Sequence, residues 1–447
     1  MSKTIRIRKG FDIRLKGGAQ ANTNEAASAA LYAVKPTDFP GLKPKLEVKI
    51  DEQVKAGTPL FIDKSQPDVK FTSPVSGRVV SINRGERRRI LEVEIESDGK
   101  FESENFSKGD PKTMDPEKIK EQLLLSGLWP FIVQRPFGII ANANVTPRDI
   151  FVSGFDSAPL APDYEYTLAN ESEALQAGFD AISKLTLGKV YLGLREGSKM
   201  ASLKNVEINY FEGPHPAGNP GVQIHKIAPV NKGEVVWTLN IQSVVYIGRL
   251  FLTGKINLER LIALCGSEVK KPSYHKAIAG ASAKSIVEGN TLQAVNERII
   301  SGNVLTGTKI EKHGYTGLLH NQVSIIPEGD KIEPFGWAAP GFKKFSAGQT
   351  FLAKLFPAKE YTLDANYHGG ERAFVVTEQY EKVLPMDIYP VYLLKAAILN
   401  DFDKMEQLGI YEVIEEDMAL CEYVCTSKIE VQEILRKGFQ YMMKELA

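Results

Sequence analysis

Residues 126–138 are the first place where this sequence could hold a phosphate-bearing cofactor. A helix is predicted just before them, because Asp115 can accept hydrogen bonds from free amides and Pro116 has the φ of a first helical position. Gly127 is expected to end that helix. A loop that binds a nucleotide or flavin phosphate needs several glycines, which let bare amides approach the anion. This loop has bulky residues instead: Trp129, Pro130, Phe131, Pro136 and Phe137.

A second phosphate-loop candidate is Gly-Asn-Val-Leu-Thr-Gly-Thr-Lys at residues 302–309. In a P-loop the lysine directly follows the second glycine, so that its ammonium reaches the phosphates. Thr308 separates the two here. We therefore exclude a P-loop and predict a strand over residues 298–305.

Cysteines and histidines do not form a recognisable metal or catalytic pattern. Cys421 and Cys425 lie four residues apart, but an iron–sulfur or zinc site normally needs four ligands, and the remaining cysteine, Cys265, is far away in the chain. We predict two half-buried thiols on one helix and no metal site. An odd number of scattered cysteines fits a reducing compartment.

His215 is the most interesting of the six histidines. It lies within a dense run of prolines and glycines, residues 213–221, between a predicted strand and the next helix. Open α/β sheets bind their ligands at such places. The alternative is a histidine that only stabilises a turn. No nucleophile motif accompanies it, so no catalytic residue is predicted.

Bulk properties exclude several classes of protein. The 55 basic and 55 acidic residues balance, so nothing favours nucleic acid as a partner. The first residues alternate charge with isoleucine, which is not the pattern of a signal peptide. No apolar run approaches the ~20 residues of a transmembrane helix. We expect a soluble chain that at most docks on a membrane protein.

Residues 1–100 predict a small β domain that resembles a biotinyl/lipoyl carrier. Short strands alternate with turns rich in glycine, proline and aspartate, and one strand is predicted over residues 69–82. Lys64 lies nearest to the hairpin position that carries the prosthetic group in carriers. A lipoyl or biotin carrier is therefore one hypothesis, and an unmodified hammerhead fold is the other. The hammerhead is favoured, because the hairpin is longer than a carrier's and no Met-Lys-Met flanks the lysine.

The remaining sequence predicts three further segments. Residues 101–256 alternate strands and helices, as in a Rossmann-like α/β domain, which a helix over residues 238–251 closes. Residues 257–330 predict a compact mixed sheet, a β-grasp domain. Residues 331–447 are mostly helical, and the last helix is expected to begin with a capping box at Ser427 and Glu430. The fold class is therefore multidomain α/β plus β with a C-terminal helical region.

The order of these domains, together with several long phrases, resembles the A subunit of the Na⁺-translocating NADH:quinone reductases over essentially the whole chain. The phrases that carry the resemblance lie at residues 7–13, 39–45, 69–77, 82–85, 215–221, 299–302 and 420–425. That family is similar to the C subunit of the Rnf complex and to the flavin-bearing, NADH-binding subunit of complex I, and its third domain to the SLBB type of β-grasp.

In those relatives a glycine-rich loop holds flavin mononucleotide and a cysteine-rich segment holds a [4Fe–4S] cluster. This sequence departs from both patterns, since bulky residues replace the loop and only Cys421 and Cys425 remain of the cluster ligands. The resemblance implies a peripheral subunit without cofactors of its own, on the cytoplasmic face of the inner membrane. Its partners would be the other subunits of a complex that uses flavins and iron–sulfur centres to pass electrons from NADH to quinone and exports Na⁺.

Two functional questions follow for the loop. The residues that would line a vestigial flavin pocket, or bind quinone, are Gly127, Trp129, Pro130, Phe131 and His215. If such a pocket were active, the chain would instead be a flavin- or quinone-dependent oxidoreductase in its own right. The sequence favours the subunit hypothesis.

Overall fold

The computed structural model describes residues 4–25, 29–293, 296–330, 333, 335–336, 339–342, 344–348 and 350–446. The strands within these ranges form four sheets. Their order along the chain gives the predicted architecture: a β domain, a Rossmann-like α/β domain, a β-grasp domain and a C-terminal helical region.

The β domain consists of two small sheets with the orders β3-β9-β8-β5 and β4-β6-β7. In the core of this domain Phe61 of β6 and Phe71 of β7 stack at 4.7 Å, and Phe39 meets Phe71 edge-on at 4.9 Å. This is the biotinyl/lipoyl-like fold predicted from the sequence. The strands of the first hundred residues are β1 (Thr4–Arg6), β2 (Gln20–Glu25), β3 (Leu31–Val34), β4 (Pro44–Leu46), β5 (Gln53–Val54), β6 (Pro59–Asp63), β7 (Lys70–Thr72), β8 (Gly77–Arg84) and β9 (Ile90–Ser97).

The single strand predicted over residues 69–82 is wrong. It is divided into β7 and β8 by a turn in which Ser73 Oγ donates a hydrogen bond to the carbonyl of Val75 at 2.7 Å. Pro74 has no amide hydrogen for a sheet ladder, which explains the break.

The first two strands pair outside the β domain. β1 lies parallel to β14 (Glu207–Glu212) in the α/β sheet, and β2 lies parallel to β17 (Ser273–Ile278) in the β-grasp sheet. The segment before Leu31 therefore joins three domains rather than belonging to the first alone. The boundaries at residues 100, 256 and 330 stay predictions.

The α/β domain is built on a sheet of order β1-β14-β13-β12-β15-β10-β11, in which β10 and β11 run antiparallel to their neighbours. Its chain order is α1 (Pro116–Ser126), β10 (Val133–Arg135), β11 (Ile139–Ile140), β12 (Ile150–Ser153), α2 (Tyr164–Thr167), α3 (Ser172–Ile182), β13 (Val190–Leu194), β14 (Glu207–Glu212), α4 (Pro220–Ile227), β15 (Val236–Asn240) and α5 (Ile241–Thr253). Helices α3 and α5 pack against each other on one face, where Gly178 and Gly248 allow close approach.

The helix predicted over residues 238–251 begins too early. Residues up to Asn240 form the buried strand β15, which pairs with β12 and β10. The side chain of Asn240 accepts a hydrogen bond from the amide of Gln242 at 2.9 Å and so starts α5. Asparagine directly before an apolar helical stretch is a start signal that the apolar periodicity alone obscured.

The β-grasp domain has a sheet of order β19-β18-β20-β16-β17, which β2 extends. Its elements are β16 (Glu259–Cys265), β17 (Ser273–Ile278), α6 (Lys284–Val287), β18 (Glu297–Ser301), β19 (Thr308–Ile310) and β20 (Gln322–Pro327). The strand predicted over residues 298–305 ends at Ser301, because residues 304–306 form a turn that the amide of Gly307 closes by donating to the carbonyl of Asn303 at 2.9 Å.

The C-terminal region is helical, with α7 (Gln379–Val383), α8 (Pro390–Ile398), α9 (Phe402–Gln407), α10 (Glu415–Val424) and α11 (Val431–Glu445). The predicted capping box is wrong. Helix α11 begins at Val431, and Ser427 Oγ donates instead to the carbonyl of Ala373 at 2.9 Å. A buried tertiary partner has replaced the local cap.

Candidate functional site around Gly127 and His215

Gly127 ends helix α1 in the left-handed conformation, with φ 75°, as the sequence predicts. A Cβ at this position would lie 2.4 Å from Thr72 Oγ1 of the β domain. That same hydroxyl donates to the carbonyl of Ser126 at 3.0 Å. Glycine is therefore required twice, by the backbone conformation and by the contact between two domains.

The residues after Gly127 form a buried 3₁₀ turn, Trp129–Phe131. Trp129 is 0% exposed, and its indole Nε1 donates to the carbonyl of Ala141 at 2.8 Å. Its ring meets Trp237 of β15 edge-on at 5.3 Å, and Phe131 meets Tyr246 of α5 in the same way at 5.6 Å. Pro130 is buried beside them. These side chains are packed as core, and they do not form a cradle for the phosphate of a flavin.

Two surface clefts lie away from this turn. One of about 440 Å³ is between the β6–β7 hairpin and α1, and one of about 320 Å³ is beside α10 and α11. None of Gly127, Trp129, Pro130, Phe131 or His215 lines either cleft. The first cleft is lined by Asp68, Lys70, Glu117, Lys118, Lys120, Glu121, Leu124 and Leu125.

His215 lies after the carboxyl end of β14, 4% exposed. Its Nδ1 is 3.0 Å from Ser157 Oγ, and that oxygen accepts from the amide of Gly218 at 2.8 Å. The backbone amide of His215 donates to Asp12 Oδ1 at 2.9 Å. Burial lowers the pKa of the imidazole to about 4, so the ring is neutral at pH 7.

These contacts make His215 a connection between the N-terminal segment and the loop after β12. Within the described residues, no hydrogen bond or ring contact joins His215 to Trp129 or Phe131, and the hydrophobic core that contains these two residues does not include His215. The five residues proposed from the sequence thus occupy two separate places in the α/β domain.

The crevice where such a sheet would bind a ligand lies between the carboxyl ends of β12 and β15, because the strand order reverses there. Side chains from two domains close it. Asn321 Nδ2 of the β-grasp domain donates to Tyr164 OH at 3.0 Å and to Asn240 Oδ1 at 3.1 Å. Gln322 Nε2 donates to the carbonyl of Pro159 at 3.3 Å. Burial raises the pKa of Tyr164 well above its usual value, so this hydroxyl stays protonated.

Sequence reasoning missed this network. The position of Asn240 directly before an apolar helix would have predicted a helix cap. Asn321 reaches this crevice only because the two domains pack against each other.

A buried ion cluster that the sequence also did not reveal connects the α/β domain to the C-terminal helices. Arg135 of β10 is 1% exposed, and its guanidinium donates to Asp417 at 2.5 Å and to Glu416 at 2.6 Å. Asp417 also accepts from the amide of Ile414 at 3.0 Å, at the start of α10. A Cβ on Gly221 would lie 2.3 Å from the Asp417 carboxylate, so α4 must have glycine there.

The cysteines lie in two separate cores. Cys421 of α10 and Cys425 just after it are buried in the C-terminal region, and Cys265 is buried in β16. They are more buried than predicted. Burial raises the pKa of the Cys421 thiol, and that of Cys265 to about 12, which disfavours the thiolates that bind metals. In the part of the chain that the structure describes, no three His, Cys, Asp or Glu side chains are placed to hold a metal ion.

Fold and site together define a multidomain protein made of a biotinyl/lipoyl-like β domain, a Rossmann-like α/β domain, a β-grasp domain and C-terminal helices, with a buried turn at Trp129–Phe131. Comparison with known proteins agrees domain by domain. Residues 5–98 match the NqrA N-terminal barrel-sandwich hybrid domain, residues 114–256 the NqrA second alpha/beta domain, and residues 261–312 the NQRA C-terminal domain.

Similarity extends over the full chain. The A subunit of the Na(+)-translocating NADH-quinone reductase of Vibrio vulnificus is 38% identical over 446 residues, covering 99% of this chain and 100% of that protein. The same subunit of Yersinia pseudotuberculosis is 38% identical over 437 residues, covering 97% and 98%. The chain belongs to the family of the A subunits of the Na⁺-translocating NADH-quinone reductases.

A crystal structure of an NAD⁺-reducing [NiFe]-hydrogenase is similar at 12% identity, covering 75% of this chain and 62% of that one. Its TM-score of 0.38 is too low to carry an argument.

Proposed function

We propose that this chain is the peripheral, cofactor-free subunit of a sodium-pumping NADH:quinone reductase, held at the cytoplasmic face of the inner membrane by the other subunits. The observation that carries the proposal is the 38% identity to the A subunit of such a reductase, over essentially the whole of both chains. None of the described helices is long and apolar enough to cross a membrane, which fits a peripheral position.

Two features support the absence of flavin and iron–sulfur from this chain. The turn at Trp129–Phe131 is packed against the sheet and α5 through Trp237 and Tyr246. The thiols of Cys421 and Cys425 are buried, without further ligands beside them among the described residues. The contribution of the chain would then be structural, positioning the subunits that carry the redox centres.

Purification of the reductase from cells that express this chain with an affinity tag tests the proposal. We expect the tagged chain to bring the other subunits with it, and the isolated chain to contain far less than one flavin or iron per molecule by absorption and metal analysis. A chain that purifies alone would overturn the assignment to the complex. Stoichiometric flavin or iron would overturn only the cofactor-free part.

Quinone binding is a second candidate, and one observation favours it. The indole Nε1 of Trp237 is buried beside Trp129 and has no hydrogen-bond partner among the described residues. A quinone carbonyl would accept from this donor, provided that the Trp129 ring moved aside. Titration of the isolated chain with a short-chain quinone, followed by tryptophan fluorescence, should then saturate and be weakened in Trp237→Phe. Linear, unsaturable quenching in both proteins would contradict the candidate.

An independent oxidoreductase and a carrier protein have less support. An oxidoreductase pocket shared by Trp129, Phe131 and His215 would need these side chains to converge, and the core that contains Trp129 and Phe131 does not include His215. Lys64 is exposed at the β6–β7 hairpin, so a carrier modification is sterically open. The hairpin is held against the α/β domain, however, where Gln66 accepts from the amide of Ala143 at 3.1 Å. Mass spectrometry of the intact chain would detect or exclude a modified lysine.

A further inference from the structure

Four arginines lie at the outer end of the hairpin that joins β8 to β9. Residues 81–92 are referred to below as the arginine hairpin. Its arginines, at 84, 87, 88 and 89, are all exposed, and none makes an ion pair with a residue that the structure describes. The hairpin also contains two glutamates, at 86 and 92, so positive charge remains in excess although the chain as a whole is neutral.

The arginines and the glutamates of the two strands occupy different levels of the hairpin. Glu92 and Glu94 both accept from Asn83 Nδ2, at 2.8 and 2.9 Å, and so lie along the strands. Arg84 extends the other way, because its Nη1 donates to the carbonyl of Arg88 in the turn at 3.0 Å. The positive charge is therefore concentrated at the turn, beyond the two strand carboxylates.

The turn keeps arginine where the backbone does not favour it. The amide of Gly85 donates to the carbonyl of Arg89 at 2.9 Å, and the amide of Arg89 donates to the carbonyl of Glu86 at 3.1 Å. Between these bonds Arg87 and Arg88 have φ 52° and 60°. Glycine or asparagine adopts this left-handed conformation at lower cost. Such outliers point to a use for the side chains that occupy them.

The arginine hairpin also has an open edge. Strand β5 pairs with β8 only at residues 77–78, and the amide of Val79 donates to the carbonyl of Glu52 at 2.9 Å. For residues 81–84, the only pairing strand among those described is β9, and no backbone bond joins them to another described segment. An edge of this kind can accept an extended peptide as a further strand.

We propose that the arginine hairpin binds an extended, acidic segment of a partner protein, which adds a strand to β8. Guanidinium groups bind carboxylates through two parallel hydrogen bonds, and the open edge binds the backbone of the segment. The inference rests on the proposed function, which makes this partner another subunit of the reductase.

Other occupants fit the hairpin less well. An anionic bilayer matches the charge but cannot pair with backbone groups. Leu91, 38% exposed, is the one large apolar side chain exposed on the described hairpin, so there is no apolar face to bury in lipid. A second copy of the chain would bring arginines against arginines, which is unfavourable.

The test is binding of a short fluorescent peptide of alternating glutamate and threonine to the full-length chain, measured by anisotropy. We expect saturable binding that weakens at high salt, and no binding of the same peptide with lysine in place of glutamate. Arg87→Gln with Arg88→Gln should bind at least about ten-fold more weakly, because two charge-assisted contacts are lost. The glutamate peptide with methylated backbone nitrogens cannot add a strand and should also bind more weakly.

The matched control is Arg6→Gln with Arg78→Gln. Both arginines are exposed, but each already has an acidic partner: Arg6 pairs with Glu212 at 3.2 Å, and Arg78 with Asp51 at 2.9 Å. This double variant should bind the peptide like the native chain. Circular dichroism should show that all three proteins are folded.

No binding of the glutamate peptide, or equal weakening in the two double variants, would overturn the proposal. So would undiminished binding of the methylated peptide, which would exclude strand addition. Binding to phosphatidylglycerol vesicles but not to the peptide would assign the hairpin to a lipid surface instead. In cells, the tagged Arg87→Gln and Arg88→Gln chain should purify with less of the other subunits than the control variant. A native chain that binds the peptide but does not purify with the reductase would overturn only the proposed function.

Discussion

Two parts of this molecule are rich in aromatic residues, and they differ in burial. In the turn at Trp129–Phe131 the rings are buried, each against another ring at 5.3–5.6 Å. In the loop of residues 335–356, called the aromatic loop, the rings of Phe335, Phe342 and Phe356 are mostly in contact with solvent. Neighbouring residues decide the difference: the turn lies between two domains, whereas the loop follows the last strand of the β-grasp at an outer surface.

The comparison distinguishes side chains that stabilise the fold from side chains that remain available to a binding partner. The surface of a buried ring is already in contact with other side chains, so the turn cannot bind a ligand without losing these packing contacts. An exposed ring costs little in folding and remains available for a partner. The large residues of the buried turn should therefore control stability, and those of the exposed loop should contribute little to it.

The largest expected effect is that of Trp129→Ala. Removing the buried ring leaves a cavity beside Trp237 and an unpaired carbonyl at Ala141, and should lower the free energy of unfolding by about 3–5 kcal/mol. Urea unfolding followed by circular dichroism measures it. A loss below about 1 kcal/mol would mean that the site collapses or was loosely packed, and the contrast between the two regions would fail.

His215 should make the stability of the chain depend on pH. Its folded-state pKa of about 4 lies below the usual 6.5, so between these values the folded chain binds fewer protons than the unfolded one. The folded chain therefore has its full stability above pH 6.5. Its free energy of unfolding falls by about 3 kcal/mol as the pH is lowered to 4. Urea midpoints at pH 7 and pH 5 measure the slope. His215→Asn keeps a side chain that can hydrogen-bond to Ser157 without titrating, and it should flatten the slope, whereas an identical slope in both proteins would contradict the assignment.

Gly127→Ala should destabilise the fold by about 2 kcal/mol, because alanine is strained at φ 75° and its Cβ would press on Thr72. Thermal unfolding detects this change. Adding Thr72→Ala should recover the part due to the contact but not the part due to the backbone. If the double variant is no better than the sum of the two single changes, Thr72 is not what Gly127 accommodates.

The smallest effect on folding is expected in the aromatic loop. Phe342→Ser should change the free energy of unfolding by less than about 0.5 kcal/mol, because the ring is already 64% exposed. Phe345→Ser in the same loop is the comparison variant. Its ring packs on Phe11 and Tyr361, so this substitution should lower the free energy of unfolding by more. Equal losses for both substitutions would show that the loop is packed more uniformly than its exposure indicates.

Much of this organisation was predictable from local sequence. The cap at Asp115, the stop at Gly127 and the alternation of strands and helices depend on neighbouring residues, and the structure has all three. Large side chains in place of glycine at residues 129–131 likewise predicted a loop in which side chains occupy the space of a ligand. Errors arose where tertiary partners decide: Ser427 bonds to Ala373 rather than capping a helix, and the apolar stretch up to Asn240 is a strand because it lies between two others.

The polar side chains that close the site were not predictable in the same way. Arg135 meets Glu416 and Asp417 across roughly 280 residues of sequence, and Asn321 meets Tyr164 across more than 150. No spacing rule relates such residues, because only the packing of whole domains brings them together. The sequence places His215 between a strand and the next helix, as the structure does, but it does not show that Ser157 and Asp12 hold the residue in place.

The placement of β1 and β2 has a consequence for synthesis on the ribosome. Residues 4–6 pair with residues 210–212, and β2 pairs with strand β17, which begins at Ser273. At roughly 5–20 residues per second, the partner of β1 is translated on the order of ten to forty seconds after β1 itself. The β domain between them can fold during that interval, but the segment before it must wait. The two strands that join three domains are thus made early and paired late, so the molecule becomes a single unit only after its β-grasp strands have been translated.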